Sequence, residues 1–506
     1  MQTVPSETEP KRRTAPVRGS AARAGRVSAQ AAAVLVIVLL CLVVVRLPWA
    51  GDLGMHAATV QRLRHSLAHP GNPLVDADTP SPYYSPWMLL LGVVAKLTGL
   101  SVFVVLRLAA YAGLGLLVTG VLRYVRTLST HRAAPALALL SLLLLWGPLL
   151  FNWSGFLGLN SLALTVAYPS VVALGLAFHF WAWLTRALRG QQAGWAVSLG
   201  LGALWALILL CHQFTGVVAS LGALATLLAA RPARTALPRL GAGLTLGLLV
   251  LWLWPYYDFF ALFSAGADLE AIHRPLYQDL AARFGLVLLG VVALALRWRR
   301  DRRDPLVLFF VLGTLVFAAG GLSGHYSWGR ALPAALIPAQ LAAALETVSA
   351  GRRAVRRGWA CVLLVALAVG AWTQAGTLGY VLGRDALPGV VAEKYRTPWV
   401  GYQWIMRAGV RYGDVVMART FPARQIPAYG PYTVAPGYPD VFLKDAGRRE
   451  AAVERYFAPG TAAAQRRGIL REYRVTWVVA GRSAAAPWLE KVTAGPGGQV
   501  LYRVLP

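Results

Sequence analysis

Long apolar stretches separated by arginine-rich turns dominate the first three quarters of the chain. A helix needs about 20 apolar residues to cross a bilayer. Runs of that kind recur near residues 28 to 47, 102 to 122, 135 to 151, 166 to 185, 193 to 211, 214 to 230, 240 to 257, 282 to 296, 305 to 322, 331 to 349 and 358 to 378. The pattern predicts about eleven membrane spans. Residues 87 to 98 (WMLLLGVVAKLT) are also apolar, but this shorter run contains Lys96 and fits an interfacial or re-entrant helix. Residues 48 to 101 then form one outer loop with short helices of its own.

Beyond residue 379 the pattern changes. DVVMAR (414 to 419), YTVAP (432 to 436), TWVVAG (476 to 481) and VLYRVL (500 to 505) read as strands, and RREAAVERYF (448 to 457) and AAAQRRGILREY (462 to 473) as amphipathic helices. This alternation predicts a small α/β domain. No glycine-rich phosphate loop follows one of its strands, which argues against a nucleotide site.

Composition agrees with the pattern. The chain is 57% hydrophobic and 14% charged, with a mean hydropathy of +0.54, too apolar for an ordinary soluble protein. A net charge of +28 would suggest nucleic acid in a soluble protein, but here the arginines cluster in alternate loops. The clusters are Lys11/Arg12/Arg13/Arg18/Arg23/Arg26, Arg123/Arg126/Arg132, Arg186/Arg189, Arg231/Arg234/Arg239, Arg297 to Arg303, and Arg352/Arg353/Arg356/Arg357. The positive-inside rule places all of them in the cytoplasm, so membrane lipid rather than nucleic acid is the expected partner. The expected organisation is a basic cytoplasmic tail (1–27), a membrane domain (28–378) and an extracytoplasmic α/β domain (379–506) of a multi-pass plasma-membrane protein. The first run is long and lacks a small-residue cleavage site, so it reads as an anchor. Cys41, Cys211 and Cys361 all fall in apolar runs and read as buried free thiols.

Polar groups on the outer side are few, and they mark the candidate chemistry. Asp52 lies five residues past the first apolar run, four before His56, so the pair would share a helix face. Asp52 could deprotonate a hydroxyl while His56 orients it; the plainer alternative is an N-cap. Ser81-Pro82-Tyr83-Tyr84-Ser85-Pro86-Trp87 supplies aromatic groups for a sugar or a headgroup belt, and its second proline can open the short helix. His325, Tyr326 and Arg330 sit in a glycine-bounded turn, where Arg330 offers a fixed fork for phosphate or a snorkelling anchor. In the loop after Trp254, Asp258 could orient a sugar, and His273 and Arg274 could bind phosphate; ordinary solvation is the alternative. His212 reads as a satisfied interfacial histidine. Asn152-Trp153-Ser154 matches a glycosylation acceptor that is common by chance. Asp52, His56, His65 and His69 lack diagnostic metal-ligand spacing, so no cofactor is assigned and a divalent metal is left open.

An acid just after span one, a Tyr/Pro motif before a short helix, many further spans and an α/β tail resemble the GT-C superfamily of integral membrane glycosyltransferases. This group includes protein O-mannosyltransferases, aminoarabinose transferases and actinobacterial mannosyl- and arabinosyltransferases. The resemblance implies that Asp52 is the catalytic base and maps Tyr83, Tyr84 and Pro86 onto the family's loop motif. Many members carry paired acids, whereas here Leu53 follows Asp52, which points to a single-base mechanism. A transferase working outside the cytoplasm needs a donor already carried across, which a polyprenyl-phosphate sugar provides. Its phosphate leaves readily once a cation neutralises it, so no general acid is needed. The expectation is therefore inverting transfer of a hexose or pentose to an envelope glycan, lipid or protein, with Arg330 and Arg274 on the phosphate. The alternatives are a lipid or glycan flippase, for which no internal repeat is seen, and a non-catalytic assembly scaffold.

Overall fold

The computed structural model describes residues 18–190, 194–264, 267–349, 351–481 and 486–506. Lys11, Arg12 and Arg13 of the basic tail lie outside the described residues. Nine helices among those described are long and apolar enough to cross a membrane: Gly25–Arg46, Val102–Leu128, Pro169–Arg189, Gln213–Ala230, Arg234–Trp252, Leu280–Arg300, Pro305–Ser323, Tyr326–Ser349 and Arg353–Thr373. The two remaining predicted spans coincide with shorter apolar helices, Ala134–Leu144 and Trp195–Cys211. The first of these stops where the chain turns into an irregular aromatic segment at Trp146 to Trp153. Cys211 is buried, but Cys41 is half-buried and Cys361 exposed. The expectation of three buried thiols is corrected, because an apolar position on a span can face lipid as well as protein.

Residues 48 to 101 carry two short helices, α1 (Leu53–His65) and α2 (Pro86–Thr98). The second follows from its sequence. Ser85 caps it by accepting from the Met88 amide at 3.2 Å, Pro86 occupies the first turn, and Gly99 ends it at φ 69°.

The C-terminal sheet has the order β2-β1-β3-β5-β4, with β1 Val415–Met417, β2 Tyr432–Thr433, β3 Trp477–Gly481, β4 Leu489–Ala494 and β5 Gln499–Val504. β2, β1 and β3 run parallel; β5 pairs antiparallel with β3 and β4. β4 was not anticipated, since LEKVTA mixes charge with few apolar residues and only one of its six residues is buried. Strand alternation builds two cores. Val415, Met417, Val478 and Tyr502 pack with Val453, Tyr456 and Ile469 of helices Ala446–Phe457 and Ala463–Glu472. Val416, Val479 and Leu501 pack with Tyr402, Ile405 and Ile426 on the opposite face.

The sheet does not end at β2. Val75, in the loop between α1 and α2, forms a parallel bridge with Thr433, so this loop caps the edge of the tail's sheet. Arg62 is fully buried, donates to the Gly430 and Pro431 carbonyls at 2.9 Å each, and lies 3.5 Å from the Tyr432 ring centroid. Asp440 accepts from Asn72 at 3.0 Å and Ser81 at 2.8 Å. The loop of residues 48 to 101 and the tail therefore pack against each other.

Candidate active site

Asp52 sits at the N-terminus of α1, where its side chain makes no capping hydrogen bond. The capping alternative therefore does not account for this carboxylate. The turn before it is clamped by two tyrosines. Tyr168, at the start of Pro169–Arg189, donates to the Ala50 carbonyl at 2.5 Å, and Tyr438 of the tail donates to the Gly51 carbonyl at 2.8 Å. Gly51 adopts φ 51°, and a Cβ there would come 3.0 Å from the Tyr168 hydroxyl. Gly54 is equally constrained, because a Cβ would lie 1.9 Å from the Arg424 carbonyl oxygen. The tail thus presses directly on the first turn of α1.

The electrostatic partners of Asp52 are Arg330 from the membrane domain and Arg424 from the tail. Burial raises the Asp52 pKa from its ordinary value, and these two guanidinium groups pull against that rise. Asp52, Tyr83, His212, Trp153 and Arg424 are each partly accessible. Arg330 is buried among aromatic rings, with its Cζ 4.6 Å from the Phe214 centroid and 5.9 Å from that of Trp153. Its Nη2 lies 3.4 Å from His212 Nε2. His56 is buried edge-on to Tyr168, with centroids 4.7 Å apart, and burial holds its pKa down at about 3. It is a neutral imidazole at physiological pH.

The other predicted residues divide into two groups. Tyr83 lies near Asp52. Its hydroxyl donates to the Pro439 carbonyl, and burial together with Asp440 and Asp52 raises its pKa well above 10. His273 packs on Phe214 and Trp153 at 5.3 and 5.9 Å, with its pKa lowered to about 4 by burial and then by Arg330. Tyr84 is instead a strut: it donates to the Gly71 carbonyl at 2.8 Å within the outer loop. Asp258 is exposed and accepts from the Phe260 and Ala261 amides at 2.9 and 3.3 Å. Arg274 and His325 are exposed at the rim. Arg274 lies 5.9 Å over the Tyr326 ring, and His325 Nδ1 is 2.9 Å from Ser323 Oγ.

Sequence reasoning missed Arg424, Tyr438 and Tyr168, and set aside His212. The first two lie in the irregular proline-containing stretch between β1 and helix Ala446–Phe457. That stretch is the signal that could have been followed, because irregular backbone in a small α/β domain has to be held by something outside it.

Among the described residues no group of three His, Cys, Asp or Glu side chains comes together. The Asp52 carboxylate lies in the electrostatic field of two guanidinium groups, and Asp440 is occupied by Asn72, Ser81 and the Phe442 amide. This donor set does not suit a divalent cation. Grooves of about 230 and 550 Å³ lie elsewhere, lined by Arg123, Arg126, Arg186 and Arg189 at the far ends of Val102–Leu128 and Pro169–Arg189.

Solved structures provide the comparison for this architecture. Arabinofuranosyltransferase AftD from Mycobacteria aligns over 94% of this chain at 16% identity and a TM-score of 0.57. ArnT from Cupriavidus metallidurans in the apo state aligns over 95% of this chain and 98% of its own length, at 15% identity and a TM-score of 0.54. The fold is that of the GT-C membrane glycosyltransferases. ArnT bound to undecaprenyl phosphate also matches, at 14% identity over 93% of this chain and 97% of its own, with a TM-score of 0.51. This chain spans 40% of the length of AftD. No protein-family model matches the sequence, and no curated protein does. The GT-C fold is a multi-pass membrane architecture, in agreement with the apolar helices of this chain.

Proposed function

We propose that this protein is a membrane glycosyltransferase that takes a sugar from a polyprenyl-phosphate donor, with Asp52 as its base. The observation that carries this reading is that Asp52 and Arg330, from distant parts of the chain, lie close enough for each charge to act on the other. An acceptor hydroxyl gives its proton to Asp52 as its oxygen attacks the anomeric carbon. The bond from that carbon to the phosphate oxygen breaks on the opposite side, and the configuration inverts. Arg330 neutralises the departing phosphate, so no acid is required. The match to ArnT with undecaprenyl phosphate supports a lipid-phosphate donor, as does the aromatic, water-poor setting of Arg330. Arg274 remains at the rim in this scheme, and Arg424 takes the second cationic position.

The cleft belongs on the non-cytoplasmic face. Tyr168 opens the helix that ends in Arg186 and Arg189, and the turn bearing Arg330 follows the helix preceded by Arg302 and Arg303. Cleft residues and arginine clusters thus occupy opposite helix ends, as the positive-inside rule requires if the clusters are cytoplasmic. The acceptor would be an envelope glycan, lipid or protein. The test is incubation of purified protein with a panel of labelled polyprenyl-phosphate hexoses and pentoses and extracted envelope acceptors. Transfer supports the proposal. Lipid movement between leaflets without transfer would favour a flippase, and neither activity a scaffold.

A further inference from the structure

His212 ends helix Trp195–Cys211 and caps helix Gln213–Ala230 by accepting from the Thr215 amide through Nδ1 at 3.2 Å. The role of that amide is fixed, because a backbone N–H can only donate. Nδ1 must therefore present a lone pair, and Thr215 Oγ1, 2.8 Å from it, can rotate its hydrogen to suit. The network assigns the neutral imidazole with its proton on Nε2. That Nε2–H points toward Arg330 Nη2, 3.4 Å away, and a guanidinium nitrogen is also a donor only. Two donors thus converge with no acceptor between them. His273 shows the opposite tautomer, since Nδ1 lies 2.6 Å from the Leu269 carbonyl and must donate to it. It offers a lone pair on Nε2 and cannot play the same part.

From this donor–donor pair we infer that His212 and Arg330 together form an oxyanion seat for the phosphate of the lipid donor, His212 supplying a neutral N–H. A glycine backs the pair, and no side chain projects from it. Gly155 borders the pair at φ 83°, and a Cβ there would lie 3.5 Å from His212 Cε1 and 3.8 Å from Arg330 Nη2. Trp153 and Phe214 wall the seat with aromatic faces, which exclude water and strengthen each hydrogen bond. When the bond from the anomeric carbon to phosphate breaks, the freed oxygen gains charge. A fixed N–H aimed there stabilises the departing group without transferring a proton. The assignment rests on the glycosyltransferase reading for its timing, but the phosphate site can be tested without turnover.

Two measurements test it. The first is binding of geranyl phosphate, with geraniol and inorganic phosphate as controls, to the full-length protein and to His212→Phe and His212→Gln. Glutamine keeps an N–H near the place of Nε2 and phenylalanine does not. Loss of about tenfold or more in affinity in His212→Phe, with most of it recovered in His212→Gln, is expected for one lost charge-assisted hydrogen bond. In the transfer assay His212→Phe should lower kcat by about 10²-fold with an unchanged pH profile. Equal affinity in the wild type and both variants, or equal binding of geraniol, would overturn the inference. Loss of transfer in Asp52→Asn but not in His212→Phe would overturn it while leaving the enzyme assignment standing. The second measurement needs no variant. ¹⁵N spectra of the labelled protein should show His212 protonated on Nε2 and shifted by geranyl phosphate, and protonation on Nδ1 would contradict the seat.

Discussion

The Tyr438 hydroxyl lies 2.8 Å from the Gly51 carbonyl and 3.0 Å from the Arg424 carbonyl and shares its one hydrogen between them, tying the tail to the turn that carries Asp52. The same domain presses the Arg424 carbonyl against Gly54. The turn carrying Asp52 is therefore held by the C-terminal domain through Tyr438 and by the membrane domain through Tyr168. Tyr438→Phe removes the bond and little volume. It should lower kcat by about tenfold, the equivalent of one neutral hydrogen bond, while the donor KM changes little. Steady-state kinetics on the purified variant check this, and an unchanged kcat would place the Tyr438 contact outside catalysis.

The pH profile follows from the surroundings of Asp52. Burial raises its pKa, and Arg330 and Arg424 oppose the rise. A base works ionised, so transfer should increase with pH through a limb lying above the usual carboxylate value. Arg424→Gln removes one of the opposing cations, so the limb should move to higher pH. A limb that stays in place or moves down would contradict the coupling.

The same shift has a stability consequence. The Asp52 carboxyl binds its proton more tightly folded than unfolded, so stability is lost as pH rises from the unfolded pKa through the raised folded one. At neutral pH the ionised form is a cost that Asp52→Asn removes. The variant should unfold at the same temperature as the wild type or higher, measured by thermal melts in detergent. A lower melting temperature would show that Asp52 is structural.

His56 has the opposite sign. Its folded pKa of about 3 lies below the ordinary 6.5, so the neutral form contributes stability above pH 6.5 that is lost as pH falls toward 3. His56→Gln should lessen acid sensitivity over that window and leave the acid limb of transfer unmoved. Melts from pH 7 to pH 4 on both proteins give the comparison.

Much of this was legible in the sequence. Among the described residues nine of the predicted runs form helices long enough to cross a membrane, and the tail's two amphipathic helices and all its strands but β4 follow from period. Asp52, His56, Tyr83, His273 and Arg330 were marked by polarity at helix ends, and the structure gathers them. What could not be read was the pairing of distant segments. Val75 bridges Thr433, and Arg62 reaches carbonyls of residues 430 and 431; no local periodicity encodes such contacts. His212 reads from type and position as an interfacial residue, and its contacts with Thr215 and Arg330 join segments that the sequence leaves far apart. Asp258 looked equally promising, but two backbone amides occupy it.

Arg62 gives a structural prediction separate from catalysis. Arg62→Met keeps much of the volume between Tyr412 and Tyr432 but leaves the Gly430 and Pro431 carbonyls without their donor. Loss of about 3 kcal/mol in docking of the tail is expected from two buried charge-assisted bonds. Limited proteolysis should then release residues beyond 379 faster than in the wild type, and equal rates would remove Arg62 from the interface.

The most direct test of the central claim is transfer of labelled sugar from a polyprenyl phosphate by Asp52→Asn beside the wild type, with geranyl phosphate binding measured on both. A base at position 52 predicts a fall in kcat of about 10²- to 10⁴-fold with phosphate binding retained. Transfer at the wild-type rate in Asp52→Asn would contradict it.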